Sequence, residues 1–307
     1  MRNIIVVAGP TAVGKTKYAI EVAKAFNGEV VSCDSMQLYK YMDIGSAKPT
    51  PEERAQVKHY LVDEIDPREA FSVAEYQKLA KAAIEEIFAK GKIPVIAGGT
   101  GLYLNALLYE MDFSDAPQES ELRKQLEQEA ETYGAQYVHD KLKALDAEAA
   151  ERIHPNNVKK VFRAIEGASS GNKIGDFKKC TEKCKDYETI LIGLTRNRQE
   201  LYDRINLRVD ILIEQGLFDE VKGLLDMGLA EDDISMKGIG YKEVIAYFDG
   251  KLSKEEAIDL IKKNTRHLAK RQLTWFRRYE DLTWFDISDY GNDDEAVEAI
   301  IKWLQNR

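Results

Sequence analysis

The chain has 307 residues, 44 Lys and Arg against 53 Asp and Glu, a formal net charge of −9 and 44% hydrophobic residues. This ordinary globular composition excludes a disordered chain, a collagen-like fibre and a disulfide scaffold, and the length allows about two domains. Total charge argues against a nucleic-acid partner, since such domains usually carry a basic balance, but binding depends on local charge. Three cysteines, Cys33, Cys180 and Cys184, suit a reducing cytosol. Cys180 and Cys184 lack a second pair or a close His for zinc and read as two surface thiols. No apolar run approaches the ~18 residues of a membrane span, and the start lacks the flanks of a signal peptide. A cytoplasmic protein with no membrane partner is expected.

In chain order, residues 3–8 read as a buried strand, followed by a glycine loop and an amphipathic helix to about Phe26. Residues 29–33 and 60–62 read as strands, 73–90 as a helix, 93–97 as a strand and 102–109 as a helix. Strands alternating with helices at this spacing predict a parallel, doubly wound α/β sheet. The pattern changes beyond Met111. Residues 112–131 hold seven acids and two bases, 119–170 read as helix after helix, and 171–185 are polar. A strand returns at 189–195, then helices at 198–215, 218–227, 241–248 and 254–279, a short strand at 283–287 and a last helix. The economical account is an all-helical insertion, 114–186, inside a core made of 1–113 and 187–307.

Residues 9–16, GPTAVGKT, fit G-x-x-x-x-G-K-S/T at every fixed position, after a strand and before a helix. Gly9 and Gly14 let the backbone curl, so that amides of Thr11, Ala12 and Val13 and the helix N-terminus form an anion site. Lys15 adds a positive charge, and the Thr16 hydroxyl is a candidate Mg²⁺ ligand. A polyphosphate is expected, whether ATP, GTP or an organic diphosphate; nucleotide binding is thus one reading of the loop. In a doubly wound sheet, ligands sit beyond the carboxyl ends of the strands. The second strand ends in Asp34, Ser35, Met36 and Gln37, and the 93–97 strand ends in Gly98, Gly99, Thr100 and Gly101. Asp34 is placed to hold Mg²⁺ through water or to take a proton, and equally to make a turn. Asp63 is a rival acid that reads better as a turn residue.

Two stretches run against the acidic total. Residues 262–278 carry seven Lys and Arg and no acid, including Lys270, Arg271 and Arg277. At about 100° per residue, Ile261, Leu268, Trp275, Phe276 and Tyr279 share one face, read as core, with Lys263, Arg266, Lys270 and Arg277 opposite. Residues 152–165 are also acid-free and contain Arg152, Lys159, Lys160 and Arg163 around Val161 and Phe162. Two basic faces suit a phosphate backbone gripped between them, though each also reads as a solvated helix face. Arg204 and Arg208, four apart on one helix face, either reach the phosphate site or pair with Asp203 and Asp210.

Seven runs together resemble the bacterial tRNA dimethylallyltransferase (tRNA isopentenyltransferase) family: 9–16, 34–37, 42–49, 98–103, 152–156, 238–243 and 265–277. They occur in that family's order over nearly the whole chain; residues 170–173 depart from its usual Gly-Lys step. The resemblance implies a P-loop NTPase-like fold and transfer of a dimethylallyl group from its diphosphate to N6 of adenine-37, beside the anticodon of tRNAs reading codons that start with U. It implies Mg²⁺, a monomer and an anticodon stem-loop partner. It makes Asp34 the base, Thr100 the residue at the bridging oxygen, and Arg208 a diphosphate ligand with Lys15 and Thr16. It makes Asp34 to Gln37, Arg123, residues 159–163, Lys270, Arg271 and Arg277 tRNA contacts. A free-nucleotide isopentenyltransferase would need neither basic face nor insertion. A small-molecule kinase would need a base pocket and lid arginine, and a non-catalytic RNA binder would not need Lys15, Thr16, Asp34 and Thr100 intact.

Overall fold

The computed structural model describes residues 2–111, 121–169 and 182–307, which divide into two compact units, Met1–Leu108 with Cys184–Arg307, and Tyr109–Lys183. The first unit is built on six parallel strands: β1 (Asn3–Ala8), β2 (Gly28–Cys33), β3 (His59–Tyr60), β4 (Ile93–Gly98), β5 (Glu188–Thr195) and β6 (Thr283–Asp286). Their order is β3-β2-β4-β1-β5-β6. β1 lies inside, with Ile5 level with Val95 on one side and Ile190 on the other. Ile4 through Ala8 are all buried, because a parallel strand covered on both faces has no solvated side to alternate with. β3 is shorter than its apolar run suggests. Leu61 and Asp63 take left-handed φ of 60° and 61°, so the chain turns out of the sheet after Tyr60.

Helices α1 (Lys15–Ala25), α2 (Pro51–Gln56) and α3 (Val73–Ala89) connect the first four strands, and α4 (Gly101–Leu108) follows β4. α2 is an element the apolar spacing does not reveal. Its signal is local: Thr50 forms a capping box with Glu53, and Pro51 stands where a missing N–H costs nothing. Ile5 and Val7 of β1 pack with Ala19, Val22 and Ala23 of α1. In the second unit, α5 (Glu121–Tyr133), α6 (Ala135–Leu145), α7 (Ala147–Arg152) and α8 (Val158–Ser169) enclose their own core of Leu126, Val138, Leu142, Val161, Phe162 and Ile165. An isolated bridge pairs Tyr109 with Lys183 where the chain enters and leaves this unit.

Back in the first unit come α9 (Arg198–Glu214), α10 (Leu217–Asp226), α11 (Tyr241–Phe248), α12 (Lys254–Phe276) and α13 (Asp293–Gln305). α9 to α12 build a third cluster around Val209, Val221, Val244 and Ile261, joined by Tyr39 and Met42 from the loop after β2. Among the described residues no helix is long and apolar enough to cross a membrane. Cys184 is buried, not a surface thiol, and its amide donates to the Leu108 carbonyl; Cys180 and residues 170–173 lie outside the described residues.

Candidate active site

A cleft of about 840 Å³ opens at the carboxyl ends of β1, β2 and β4, entirely within the first unit. Thr11, Ala12, Gly14, Lys15 and Thr16 line it, as do Asp34 to Gln37, Gly98 to Gly101 and Arg208. The sheet brings these ends together because the chain crosses over after each strand and returns parallel. Gly9 and Val13 do not face it. A Cβ on Gly9 would lie 2.7 Å from the Leu194 carbonyl oxygen, so Gly9 lets the loop pass over β5, and Val13 is core. The Thr11 amide donates to Gln272 Oε1 at 2.8 Å and the Val13 amide to the Pro10 carbonyl. These two hydrogen bonds hold the shape of the loop. Ala12 and Gly14 both take left-handed φ, 64° and 107°, which only glycine adopts freely.

Lys15 Nζ donates to the Pro10 carbonyl at 2.9 Å. Burial pushes its ammonium down to about 8; Asp34 opposes that shift and Arg208 adds to it. Burial likewise lowers Arg208, with Asp34 opposing, and its Nη2 reaches the Ala47 carbonyl at 3.4 Å. Two desolvated cations facing the Asp34 carboxylate make an electropositive floor suited to an anion. Arg204 Nε donates to the Ala12 carbonyl at 3.1 Å, while Asp203 accepts from Gln199 and Asp210 from Lys262. Of the two readings of the Arg204 and Arg208 pair, the one toward the phosphate loop holds.

Asp34 makes a turn at the edge of the cleft. Its Oδ1 accepts from the Met36 amide at 2.9 Å, an Asx turn, and Oδ2 has no hydrogen-bond partner among the described residues. Thr100 Oγ1 accepts from the Ser35 amide at 3.1 Å, so the β2 and β4 loops are pinned together at the cleft. Gln37 Oε1 accepts from Ser32 Oγ at 2.9 Å. The glycines flanking Thr100 have definite neighbours: an added Cβ would lie 2.3 Å from Gln272 Nε2 at Gly99 and 2.4 Å from Trp275 at Gly101, and one residue further back 2.0 Å from the Cys33 carbonyl oxygen at Gly98. Asp63 belongs to an ion-pair cluster with Lys48 and Arg54 and does not line the cleft, as a turn residue would not.

Three residues that sequence reasoning overlooked hold this geometry. Glu220 accepts from the amides of Asp43, Ile44 and Gly45 at 2.7–3.0 Å and from the Tyr241 hydroxyl, fixing the loop that forms one wall. Arg196 donates to the Val13 carbonyl at 3.3 Å and pairs with Glu200 and Asp293 beneath the phosphate loop. Gln272 links Thr11 to Gly99. Two of the seven runs touch these contacts: 238–243 through Tyr241, and 265–277, which contains Gln272.

The basic helix α12 departs from its predicted faces. Leu268 and Trp275 line the cleft with Arg271 and are not core; Phe276 and Ile261 are buried. Lys262 pairs with Asp210 and Arg266 donates to Asn206, leaving Lys263, Lys270 and Arg277 exposed. In α8, Lys159, Lys160 and Arg163 are exposed, but Val161 and Phe162 are 0% and 4% exposed. These two apolar side chains are therefore core and cannot present themselves to an RNA. Arg123 makes a two-pronged pair with Glu166 over the Phe162 ring, so its charge is already matched.

A family model described as IPP transferase matches residues 37–279. The chain is 52% identical to the tRNA dimethylallyltransferase of Alkaliphilus oremlandii over 98% of this chain and 96% of that protein. It is 51% identical to that of Clostridioides difficile over 99% and 97%. It superimposes on the crystal structure of full-length tRNA isopentenylpyrophosphate transferase from Bacillus halodurans with a TM-score of 0.75 and 46% identity, covering 100% of this chain and 96% of that one. A structure described as eukaryotic dimethylallyltransferase acting on tRNA gives a TM-score of 0.82 at 27% identity, covering 100% and 80%.

Proposed function

The chain belongs to the tRNA dimethylallyltransferase family, and from that membership we propose how its cleft transfers a dimethylallyl group to N6 of adenine-37 in tRNAs reading codons that start with U. The observation carrying this reading is the convergence in one cleft of the phosphate loop, Arg208, and the hydrogen-bonded Asp34 and Thr100 turns. The loop and Arg208 hold a diphosphate that departs, not a nucleotide that donates phosphate. As the allylic C–O bond breaks, its electrons pass to the diphosphate, and Lys15 and Arg208 stabilise that charge. N6 forms the new C–N bond, and Asp34 takes the N6 proton, which matters because an exocyclic amine is a weak nucleophile. Thr100 sits beside Asp34 to contact the bridging oxygen. The adenine leaves the anticodon-loop stack to reach this site, and residues 34–37 hold its edge.

Mg²⁺ fits the donors present. Thr16 offers a hydroxyl and Asp34 a carboxylate, both hard oxygen ligands lining the cleft, while the described residues contain no cluster of three His, Cys, Asp or Glu. The protein would supply few ligands and the diphosphate and water the rest, as is usual for Mg²⁺. When bound, the ion neutralises the leaving diphosphate. The exposed cations Lys159, Lys160 and Arg163 in one unit and Lys270, Arg271 and Arg277 in the other are the proposed phosphate contacts of the anticodon stem-loop. Action as a monomer in the cytoplasm is part of this reading and follows from the family resemblance; the cleft residues all come from the first unit.

The test is incubation with labelled dimethylallyl diphosphate, Mg²⁺ and either AMP or an unmodified tRNA containing A36-A37-A38. Label is expected in the tRNA at position 37. Label in AMP and not in tRNA would favour the free-nucleotide reaction and overturn this reading.

A further inference from the structure

We propose that Gln272, on α12, is a positioning residue that sets the two peptide planes on which the reaction depends, one in the phosphate loop and one at Thr100. The inference rests on the prenyl-transfer reading above. The Gln272 amide is used at both ends: Oε1 accepts from the Thr11 amide at 2.8 Å, and Nε2 donates to the Gly99 carbonyl at 3.0 Å. The opposite ends of both planes are also held. The Pro10 carbonyl, in the peptide bearing the Thr11 N–H, accepts from Lys15 Nζ at 2.9 Å. The Thr100 N–H, in the peptide bearing the Gly99 carbonyl, donates to the Cys33 carbonyl at 3.1 Å. A plane gripped at both its N–H and its C=O cannot rotate, so Lys15 and Thr100 are fixed relative to each other through one side chain. The link needs a donor and an acceptor on separate atoms at the end of a flexible stem, which the Gln amide provides without a charge. Position 99 must be glycine to admit it, since a Cβ there would lie 2.3 Å from Nε2. Gln272 is also the neighbour of Arg271, so the helix that carries the proposed tRNA-facing cations is the helix that aligns the diphosphate and threonine loops.

The test compares two variants with wild type, measuring kcat and both KM values across pH 5.5–8.5. Gln272→Met keeps the volume and loses both hydrogen bonds. Its kcat is expected to fall at least about tenfold at saturating substrates, since misplacing reacting groups by an ångström can cost about 10²-fold, with KM for tRNA within about threefold. Gln272→Glu keeps an acceptor for the Thr11 N–H but, when ionised, sets an oxygen against the Gly99 carbonyl. Once protonated, its O–H again donates to that carbonyl. The ratio of its kcat to that of wild type is therefore expected to rise as pH falls, by up to about tenfold per pH unit above the carboxyl's pKa. A residue that only stabilises the fold gives a ratio independent of pH. Gln272→Met within about twofold of wild type, a loss confined to KM for tRNA, or a flat ratio for Gln272→Glu overturns the proposal. Should Gln272→Met fail to fold, the profile of Gln272→Glu decides. Wild-type enzyme that labels only AMP would overturn the underlying reading, whereas active wild type with unaffected variants overturns this inference alone.

Discussion

The two acid-free basic stretches look alike as sequence and differ as structure. Residues 262–278 lie on α12, whose Arg271, Gln272 and Trp275 form a wall of the cleft and whose Lys262 and Arg266 are bound to α9. Residues 152–165 lie in the second unit, where Val161 and Phe162 are core and Lys159, Lys160 and Arg163 form an exposed face. A basic helix built into a site is expected to act on the chemistry, whereas a basic face on a small core of its own is expected to act on affinity. Charge patterning cannot tell these apart, because the difference lies in what covers the helix.

The sharpest way to break that contrast is to remove the proposed base. Asp34→Ala is expected to lower kcat by about 10²–10⁴-fold while tRNA affinity, measured by filter binding, stays near that of wild type. Near-normal turnover would remove Asp34 from the mechanism and the contrast with it. The second unit's core comes next. Phe162→Ala is expected to destabilise that unit by about 3–5 kcal/mol, read by hydrogen exchange in α5–α8, with protection of the β1 and β4 amides unchanged. Equal loss of protection in both units would mean that they do not unfold separately.

Replacing Lys159, Lys160 and Arg163 together by Ala is expected to weaken tRNA binding by about tenfold at moderate salt. The salt slope should shrink by about 0.7–0.9 for each phosphate that is no longer neutralised, with kcat at saturating tRNA held. A fall in kcat at unchanged affinity would place α8 in the chemistry. The smallest effect is on acid stability. Burial would raise the Asp293 carboxyl, but hydrogen bonds from Arg196 and Tyr18 outweigh it and hold the group below the usual carboxylate range. Its contribution is therefore complete above the unfolded pKa, about 4, and is lost as pH falls through the lower folded value. Asp293→Asn should flatten this part of the acid limb in a series of thermal melts and, because Arg196 also holds the Val13 carbonyl, weaken diphosphate binding slightly. An unchanged acid limb would contradict the assignment.

Much of the site was legible in the chain because its signals are local. The phosphate loop, Asp34 after β2 and Thr100 after β4 are short-range patterns at strand ends, and parallel crossover topology brings strand ends together. Arg208 was legible only as half of a spaced pair whose partner was open. Gln272 fell inside the 265–277 run without a role of its own, and Glu220 and Arg196 fell in none of the runs, since their partners lie 261, 177 and 183 residues away and a lone Gln, Glu or Arg carries no periodic signal. The resemblance made residues 159–163 one continuous tRNA contact; a helix turns about 100° per residue, so the side chains of Val161 and Phe162 fall on the core face and those of Lys159, Lys160 and Arg163 on the exposed one.

The sequence by itself determined the α/β class, the phosphate loop, the family and the break into an inserted helical unit, because strand–helix alternation and loop chemistry are written in neighbouring residues. Only the tertiary structure decided which glycines and amides face the cleft, which cations are already paired and which helix walls the site. Those properties depend on what distant segments place against each residue: Leu194 beneath Gly9, Gln272 against Thr11, Glu166 on Arg123. The net charge of −9 shows the same division, since its sign describes the whole chain while binding depends on where the exposed, unmatched cations stand.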